Sequence, residues 1–330
     1  MPAVELNESS DTRVIGKPLE ADVPQPRPLR DEESTRPVDA PQCRRPRPLT
    51  GCTISSDALR LDERRGRGGA GLVYRATQTV TGRTMAVKVL RDGRASARAT
   101  FLREAEVLRD VRSPWVVCIA RTGILGDGRL WFAMEYLRGH SLARELRRRG
   151  RIGPRRAIDW LRQACRGLAA IHEEGWVHRD VKPSNLMLVS EPDGIRLKII
   201  DLGIAERPGT IPEMMCGTPD YIAPEQVRNE SVDIRSDIYS LGCCAYQMLT
   251  GRSIVPENGT AAKLRAHLDG VDVSWPNAPF VPQPLRDIIS RTLAPNLEDR
   301  PATMLEVDEL LGSLPYGTRR ASPIGARRVA

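Results

Sequence analysis

No window of the chain approaches the roughly 20 uninterrupted apolar residues that a membrane-spanning helix needs. The start, Met1 to Ser10, is acidic and polar rather than charged and then apolar, so neither a membrane span nor an export signal is expected. C-x-x-C pairs are missing too. The cysteines number seven, an odd count, which fits neither a disulfide framework nor a zinc site. Reduced and mostly buried thiols are expected, with the adjacent Cys243 and Cys244 packed in an apolar helix, and the expected address is the cytoplasm. No internal repeat is visible. A net charge of +8 raises nucleic acid as a partner, but the arginines are scattered and often matched by nearby Glu or Asp, so charge makes no case for nucleic acid. The densest basic run, Arg147-Arg148-Arg149 with Arg144 and Arg151, reads as the end of an exposed helix, available to an acidic partner.

What is present is enough for a sizeable core: 330 residues, 40% of them hydrophobic. Residues 1–56 carry Pro24, Pro26, Pro28, Pro37, Pro41, Pro46 and Pro48 among mixed charges, with no apolar period, and read as a disordered tail open to a partner protein. After Asp57 the texture changes to short alternating segments, Leu59 to Val73 and Thr84 to Leu90, around the Thr81-Gly82 turn pair. Phe101, Ala105 and Leu108 recur at helical spacing, and Leu130 to Tyr136 returns to strand texture. From Pro154 onward helices dominate: Ile158, Leu161, Cys165, Leu168 and Ile171 make one apolar face, and Ile238 to Leu249 is apolar on nearly every side. The reading is an α+β chain with a small β-rich lobe at 57–137, a larger helical lobe at 138–313, and a basic disordered tail at 314–330.

Gly66-Arg67-Gly68-Gly69-Ala70-Gly71 fits G-x-G-x-x-G, a pattern that alone also fits a dinucleotide fingerprint or an ordinary turn. A dinucleotide fold needs a helix to start at the glycines, whereas Leu72-Val73-Tyr74-Arg75-Ala76 continues as a strand. The glycines therefore belong to a β-hairpin able to lay backbone N–H groups over phosphates, with Val73 covering a base. Lys88, in Ala86-Val87-Lys88 on the next strand, reaches toward the same phosphates, and Glu104 on the helix is its expected partner by order and spacing. The strongest local signal is His178-Arg179-Asp180-Val181-Lys182-Pro183-Ser184-Asn185.

That octet resembles the catalytic loop of eukaryotic-type protein kinases, and Lys182, two positions after Asp180, resembles the Ser/Thr-specific branch. The texture of Asp201 to Ala205 and of Thr218 to Gln226 is closest to the bacterial members. The resemblance covers about residues 57–313 and implies the two-lobed kinase fold with an ATP cleft between the lobes. It implies ATP and Mg as cofactors, with protein Ser/Thr hydroxyls as phosphate acceptors. Asp180 is then the catalytic base, Lys182 neutralises charge on the transferring phosphoryl group, and Asn185 and Asp201 hold Mg. Gly66, Gly68, Gly71, Val73, Ala86 and Lys88 line the nucleotide cleft. Met187 lies beneath adenine, and Glu135 and Leu137 belong to a hinge that follows Met134 and binds adenine through its backbone.

Asp201-Leu202-Gly203 stands where the family usually has Asp-Phe-Gly; Leu202 keeps an apolar plug there. Gly217-Thr218-Pro219-Asp220-Tyr221-Ile222-Ala223-Pro224-Glu225 resembles the end of an activation segment. There Thr218 is expected to touch Asp180 and Lys182, Glu225 to pair with Arg300, and Asp237 to anchor the catalytic loop. Thr210, the one hydroxyl between Asp201 and Gly217, is the expected autophosphorylation site, its phosphate answering the buried cation of Arg179. Ser322, in Arg319-Arg320-Ala321-Ser322, resembles a basophilic phosphosite, and Cys216 is a candidate redox site in the same mobile segment as Thr210. Two other readings stand beside this one. A pseudokinase scaffold conflicts with intact Lys88, Asp180, Asn185 and Asp201, and a small-molecule phosphotransferase leaves Gly217 to Glu225 without a use.

Overall fold

The computed structural model describes residues 49–67, 71–91, 94–275 and 278–315, all within one compact unit, Pro46–Ala330. The Pro-rich segment up to residue 48, Gly68 with its neighbours Gly69 and Ala70, and the basic segment from residue 316, with Ser322, lie outside the described residues.

The first lobe is built on strand alternation. Strands β1 (Thr53–Ile54), β2 (Leu59–Arg67), β3 (Gly71–Gln78) and β4 (Thr84–Leu90) precede helix α1 (Ala95–Asp110), and β5 (Ile119–Ile124) and β6 (Leu130–Glu135) follow it. They form one six-stranded sheet in the order β1-β2-β3-β4-β6-β5, antiparallel throughout. Successive side chains on a strand point to opposite faces. In β4, Met85, Val87 and Val89 therefore join Leu59, Leu61, Tyr74 and Trp131 in one apolar cluster. Leu90 and, across the register, Phe132 point the other way and pack against Phe101 and Leu108 of α1. Lys88 lies on that second face, paired across the ladder with Phe132, and so looks toward α1.

The second lobe opens with β7 (Gly139–Ser141), α2 (Leu142–Arg149) and α3 (Pro154–Glu173). Next come β8 (Leu186–Glu191), β9 (Gly194–Ile199), α4 (Pro224–Val227), α5 (Arg235–Thr250), α6 (Thr260–Asp269), α7 (Gln283–Thr292) and α8 (Met304–Gly312). Proline at the first turn of α3 is preset for a helix start. The Ile158, Leu161, Cys165, Leu168 and Ile171 stripe of α3 is buried. Between Ile238 and Leu249 every residue of α5 is buried except Gln247, and Gly251 ends the helix in the left-handed conformation at φ 76°. Strands β7, β8 and β9 make a separate small sheet. A β-rich lobe with one long helix, then a helical lobe, is the two-lobed α+β arrangement expected.

Two expectations change in detail. Residues 49–56, assigned above to the tail, join the first lobe: Thr53 and Ile54 pair with Arg60 and Leu59, Ile54 is buried, and Leu49 packs against the same cluster. A two-residue strand is too short to show a period, which is why its sequence reads as tail. At the other end Leu314 is buried, one residue past the expected limit. The basic run ends an exposed helix as expected: Arg144, Arg147, Arg148, Arg149 and Arg151 are all exposed, the middle three in the last turn of α2. Arg148 and Arg149 hold Glu145 of α2, and the Arg151 guanidinium lies 4.4 Å from the centre of the Phe280 ring. Together with His140, the two arginines offset the burial of the Glu145 carboxyl and hold it at about 2. Of the six described cysteines none is paired, and Cys165, Cys243 and Cys244 are buried.

Candidate active site

The first-lobe side of the site follows from the Gly-rich hairpin and β4. Gly66 and Val73 are cross-strand partners. A Cβ at Gly71 would come within 2.8 Å of the Val89 carbonyl oxygen, so the close approach of β3 to β4 needs a glycine there. Lys88 and Glu104 are both buried and form an ion pair, and Asp201 Oδ1 stands 3.7 Å from Lys88 Nζ on the other side. Burial alone would depress the Lys88 ammonium, yet the Glu104 and Asp201 carboxylates outweigh it and its pKa lies above the usual lysine value. Glu104 responds the other way: burial lifts its carboxyl to about 7 against the pull of Lys88.

The connection between lobes is tied by side chains. Ala86 pairs with Met134, and Met187, half-buried on β8, is opposite Lys198 of β9. Glu135 Oε1 accepts hydrogen bonds from Lys198 Nζ at 2.7 Å and from the Cys118 N–H at 2.9 Å. Leu137 packs against the larger core, and Arg65 of β2 donates to the Tyr136 hydroxyl at 2.8 Å. Beyond the backbone role that the resemblance implies for it, the Glu135 side chain ties the hinge to β9 and to Cys118. Its partners lie far along the chain, and no local pattern announces them.

On the second-lobe side, Asp237 at the start of α5 holds the loop. Its two oxygens accept from the backbone N–H groups of His178 and Arg179 at 2.9 and 2.8 Å, and Oδ2 is 2.8 Å from His172 Nε2. Burial opposes ionisation of this carboxyl, but the His172 imidazole and the backbone donors hold it below the usual range. Arg179 takes φ 66°, a left-handed conformation unusual for a non-glycine residue, and the Asp237 bonds flanking it account for how the loop keeps that turn. Asp201 shares the feature at φ 64°. Leu202 beside it is fully buried.

Asp180 sits at the centre. Thr218 Oγ1 donates to its Oδ1 at 2.6 Å, Lys182 Nζ is 2.5 Å from its Oδ2, and the same ammonium donates to Thr218 Oγ1 at 2.8 Å. Asn185 Nδ2 donates to the Asp180 carbonyl at 3.0 Å and to Oδ2 at 3.3 Å. These bonds set the Asn185 amide so that its oxygen is turned away from Asp180. That oxygen and the Asp201 carboxylate are hard donors from neighbouring strand ends. One carboxylate and one amide oxygen suit a small divalent cation that keeps several waters and completes its shell with phosphate oxygens.

The segment expected to receive a protein substrate closes the site. Arg300, fully buried, grips Glu225 with both terminal nitrogens, at 2.8 and 2.9 Å, and donates further to the carbonyls of Ala294, Arg235 and Pro295. Gly68 and Ser322 lie outside the described residues; of the other residues singled out from sequence, Lys88, Glu104 and Asp201 come together in one cluster and Asp180, Lys182, Asn185 and Thr218 in another. Two contacts on this segment had no sequence signal: Lys263 with Asp220, and His267 with the Pro219 carbonyl.

Residues 59–311 match the protein kinase domain family, and the chain belongs to that family, in the eukaryotic-type Ser/Thr branch found in bacteria. It is 33% identical over 269 residues to the serine/threonine-protein kinase drp72 of Corynebacterium efficiens, covering 78% of this chain and 51% of that one. It is 36% identical to serine/threonine-protein kinase PknB of Mycolicibacterium smegmatis, over 76% of this chain and 42% of the relative. With PknA of Mycobacterium tuberculosis it shares 34% identity, over 76% and 59% respectively. The chain thus spans about half the length of the curated relatives it matches. The family uses ATP and a divalent metal. Among the described residues no helix is long and apolar enough to cross a membrane.

Proposed function

We propose that this chain is a Ser/Thr protein kinase that moves the γ-phosphoryl group of ATP to Ser and Thr hydroxyls of proteins, itself included, in the cytoplasm, where ATP and reduced thiols coexist. The catalytic domain on this reading is the packed unit from Leu49 to Pro315. The observation that carries it is the Asp180 carboxylate, fixed by Thr218, Lys182 and Asn185, with the Lys88–Glu104–Asp201 cluster formed beside it as the resemblance requires.

Asp180 accepts the proton of the substrate hydroxyl while that oxygen bonds to the γ-phosphorus. The bond from phosphorus to the bridging oxygen breaks, ADP leaves, and the proton stays on the carboxyl group until solvent removes it. Lys182 stands beside the reacting oxygens and offsets the charge that spreads over the transferring group. Lys88, held by Glu104, binds the phosphates left behind. Asn185 and Asp201 hold Mg, which when bound supplies charge neutralisation to the phosphate oxygens. Gly66, Gly68, Gly71, Val73, Ala86 and Met187 enclose the nucleotide, and the backbone at Glu135 and Leu137 meets adenine. On this reading a partner protein is recruited through the Pro-rich segment.

The test is incubation of the full chain with labelled ATP and Mg beside Asp180→Asn. Label on Ser or Thr in the wild type, lower by a factor on the order of 10² to 10⁴ in the variant, is expected for loss of a general base. No label in either protein, with nucleotide still raising the melting temperature, would turn the reading to a nucleotide-binding scaffold.

A further inference from the structure

We propose that His267 is a positioning residue for the protein-substrate side of the site, holding the Pro219 carbonyl and thereby setting Thr218 against Asp180 and Lys182. This rests on the kinase reading above.

Helix α6 has a single buried side chain, and it is this imidazole, with no exposed surface. Packing alone would be served by an aliphatic residue, since a buried polar ring is costly unless both nitrogens are satisfied. Both are: Nε2 is 3.0 Å from the Pro219 carbonyl oxygen, and Nδ1 is 2.8 Å from the Tyr239 hydroxyl of α5. A carbonyl oxygen only accepts, so Nε2 carries the proton, and Nδ1 of the neutral ring accepts from Tyr239 O–H. The bond to Pro219 falls one residue from Thr218. Its hydroxyl is the group that touches both Asp180 and Lys182.

A second contact from the same helix face supports the assignment. Lys263 is one turn before His267, hence on the same side of α6, and its Nζ is 2.5 Å from Asp220 Oδ1. The helix therefore grips two consecutive residues, Pro219 by its carbonyl and Asp220 by its carboxylate. Tyr221, next in the chain, is fixed from α5: its carbonyl accepts from Ser240 Oγ at 2.7 Å, and its hydroxyl donates to Gln247 at 2.7 Å. Tyr239 in turn lies under the Arg300 guanidinium, 4.8 Å from the ring centre, and Arg300 holds Glu225. One buried chain of contacts, Pro219 to His267 to Tyr239 to Arg300 to Glu225, brackets the segment at both ends. A peptide held in this way is a surface on which a substrate chain can be laid at fixed distance from Asp180.

The test uses the full chain with myelin basic protein as a generic phosphate acceptor and three variants: His267→Leu, His267→Gln and Lys263→Gln. A glutamine N–H can take the place of Nε2–H, and leucine cannot. His267→Leu is expected to lose about tenfold in kcat/KM for the protein acceptor, the scale of a small misplacement of reacting groups, with KM for ATP unchanged. His267→Gln is expected to recover most of it. Hydrogen exchange over residues 216–222 should quicken in His267→Leu and stay near wild type in His267→Gln. Equal loss in the two His267 variants, or none in His267→Leu, overturns the proposal. Should His267→Leu not fold, Lys263→Gln is read instead: a several-fold loss at unchanged melting temperature upholds the clamp and wild-type kinetics overturn it. Wild-type protein that transfers no phosphate defeats the kinase reading, and the exchange measurement then judges the clamp by itself.

Discussion

Paired with Lys88, Glu104 is shut off from water, and its carboxyl is lifted from the ordinary 4.5 to about 7. The sign of the consequence follows from proton counting. Between those two values the folded protein keeps a proton that the unfolded chain has already released, so stability falls as pH rises through the window. The wild type should lose stability relative to Glu104→Gln as pH rises from 4.5 to 7, read from urea unfolding midpoints of both proteins at several pH values. A difference that stays flat would show that the carboxyl ionises normally. His267 has the opposite sense. Burial, first of all, lowers its pKa from 6.5, while the Pro219 carbonyl, Asp220 and Glu257 raise it in part and Lys263 lowers it further; its hydroxyl partner is Tyr239. The unfolded chain then takes up the proton first, so stability drops as pH falls below about 6.5, and Phe in its place should remove that part of the acid limb. Arg300 is the third residue whose environment fixes a number. Deleting its side chain leaves Glu225 charged and buried, a change worth about 3 to 5 kcal/mol. Arg300→Lys should recover little of it, because one ammonium cannot serve two carboxylate oxygens and three carbonyls; thermal melting of both variants measures this.

At the scale of elements, the least conspicuous strand makes the clearest forecast. β1 adds only Thr53 and Ile54 to the sheet, yet Ile54 and Leu49 cover the cluster of Leu59, Leu61 and Trp131. A chain beginning at Leu49 should melt with the full-length protein, and one beginning at Asp57 should melt several degrees lower, since burying one large aliphatic side chain contributes roughly 1.5 to 3 kcal/mol. Equal melting of the two would place the domain limit at Asp57. The strand also shows what sequence can and cannot carry. Long periodic stretches such as α3 and α5 announce themselves, because each buried position repeats within the stretch. The loop at Asp180 is legible because its residues are consecutive. Lys198 with Glu135, and His267 with Pro219, join residues 63 and 48 positions apart, and neither end has a local signature. Such pairs become visible only when strands and helices are placed.

Across the whole molecule, one group of charges joins the two lobes. Arg103 neighbours Glu104 on α1, and its guanidinium reaches the Ala205 carbonyl and the Glu206 carboxylate beyond Asp201. Arg179, from the catalytic loop, is buried, and its Nε has no hydrogen-bond partner among the described residues. Thr210 lines the same cavity as both arginines. Its backbone is held by Val232, whose N–H donates to the Thr210 carbonyl at 2.9 Å. A phosphate on Thr210 brings a charge of about −1.5 to −2 with three strong acceptors, enough to satisfy Arg179 and to draw Arg103 from Glu206. That would lock α1, and Glu104 with it, to the second lobe. Autophosphorylated wild type is therefore expected to melt higher and to turn over faster than the same protein after phosphatase treatment. Thr210→Ala should show neither gain, and Arg179→Met should accept the phosphate without the rise in melting temperature. Phosphopeptide mapping that finds Thr210 bare in fully active enzyme would falsify this coupling. A gain that persists in Arg179→Met would keep the phosphate but assign its hold on the lobes to Arg103 alone.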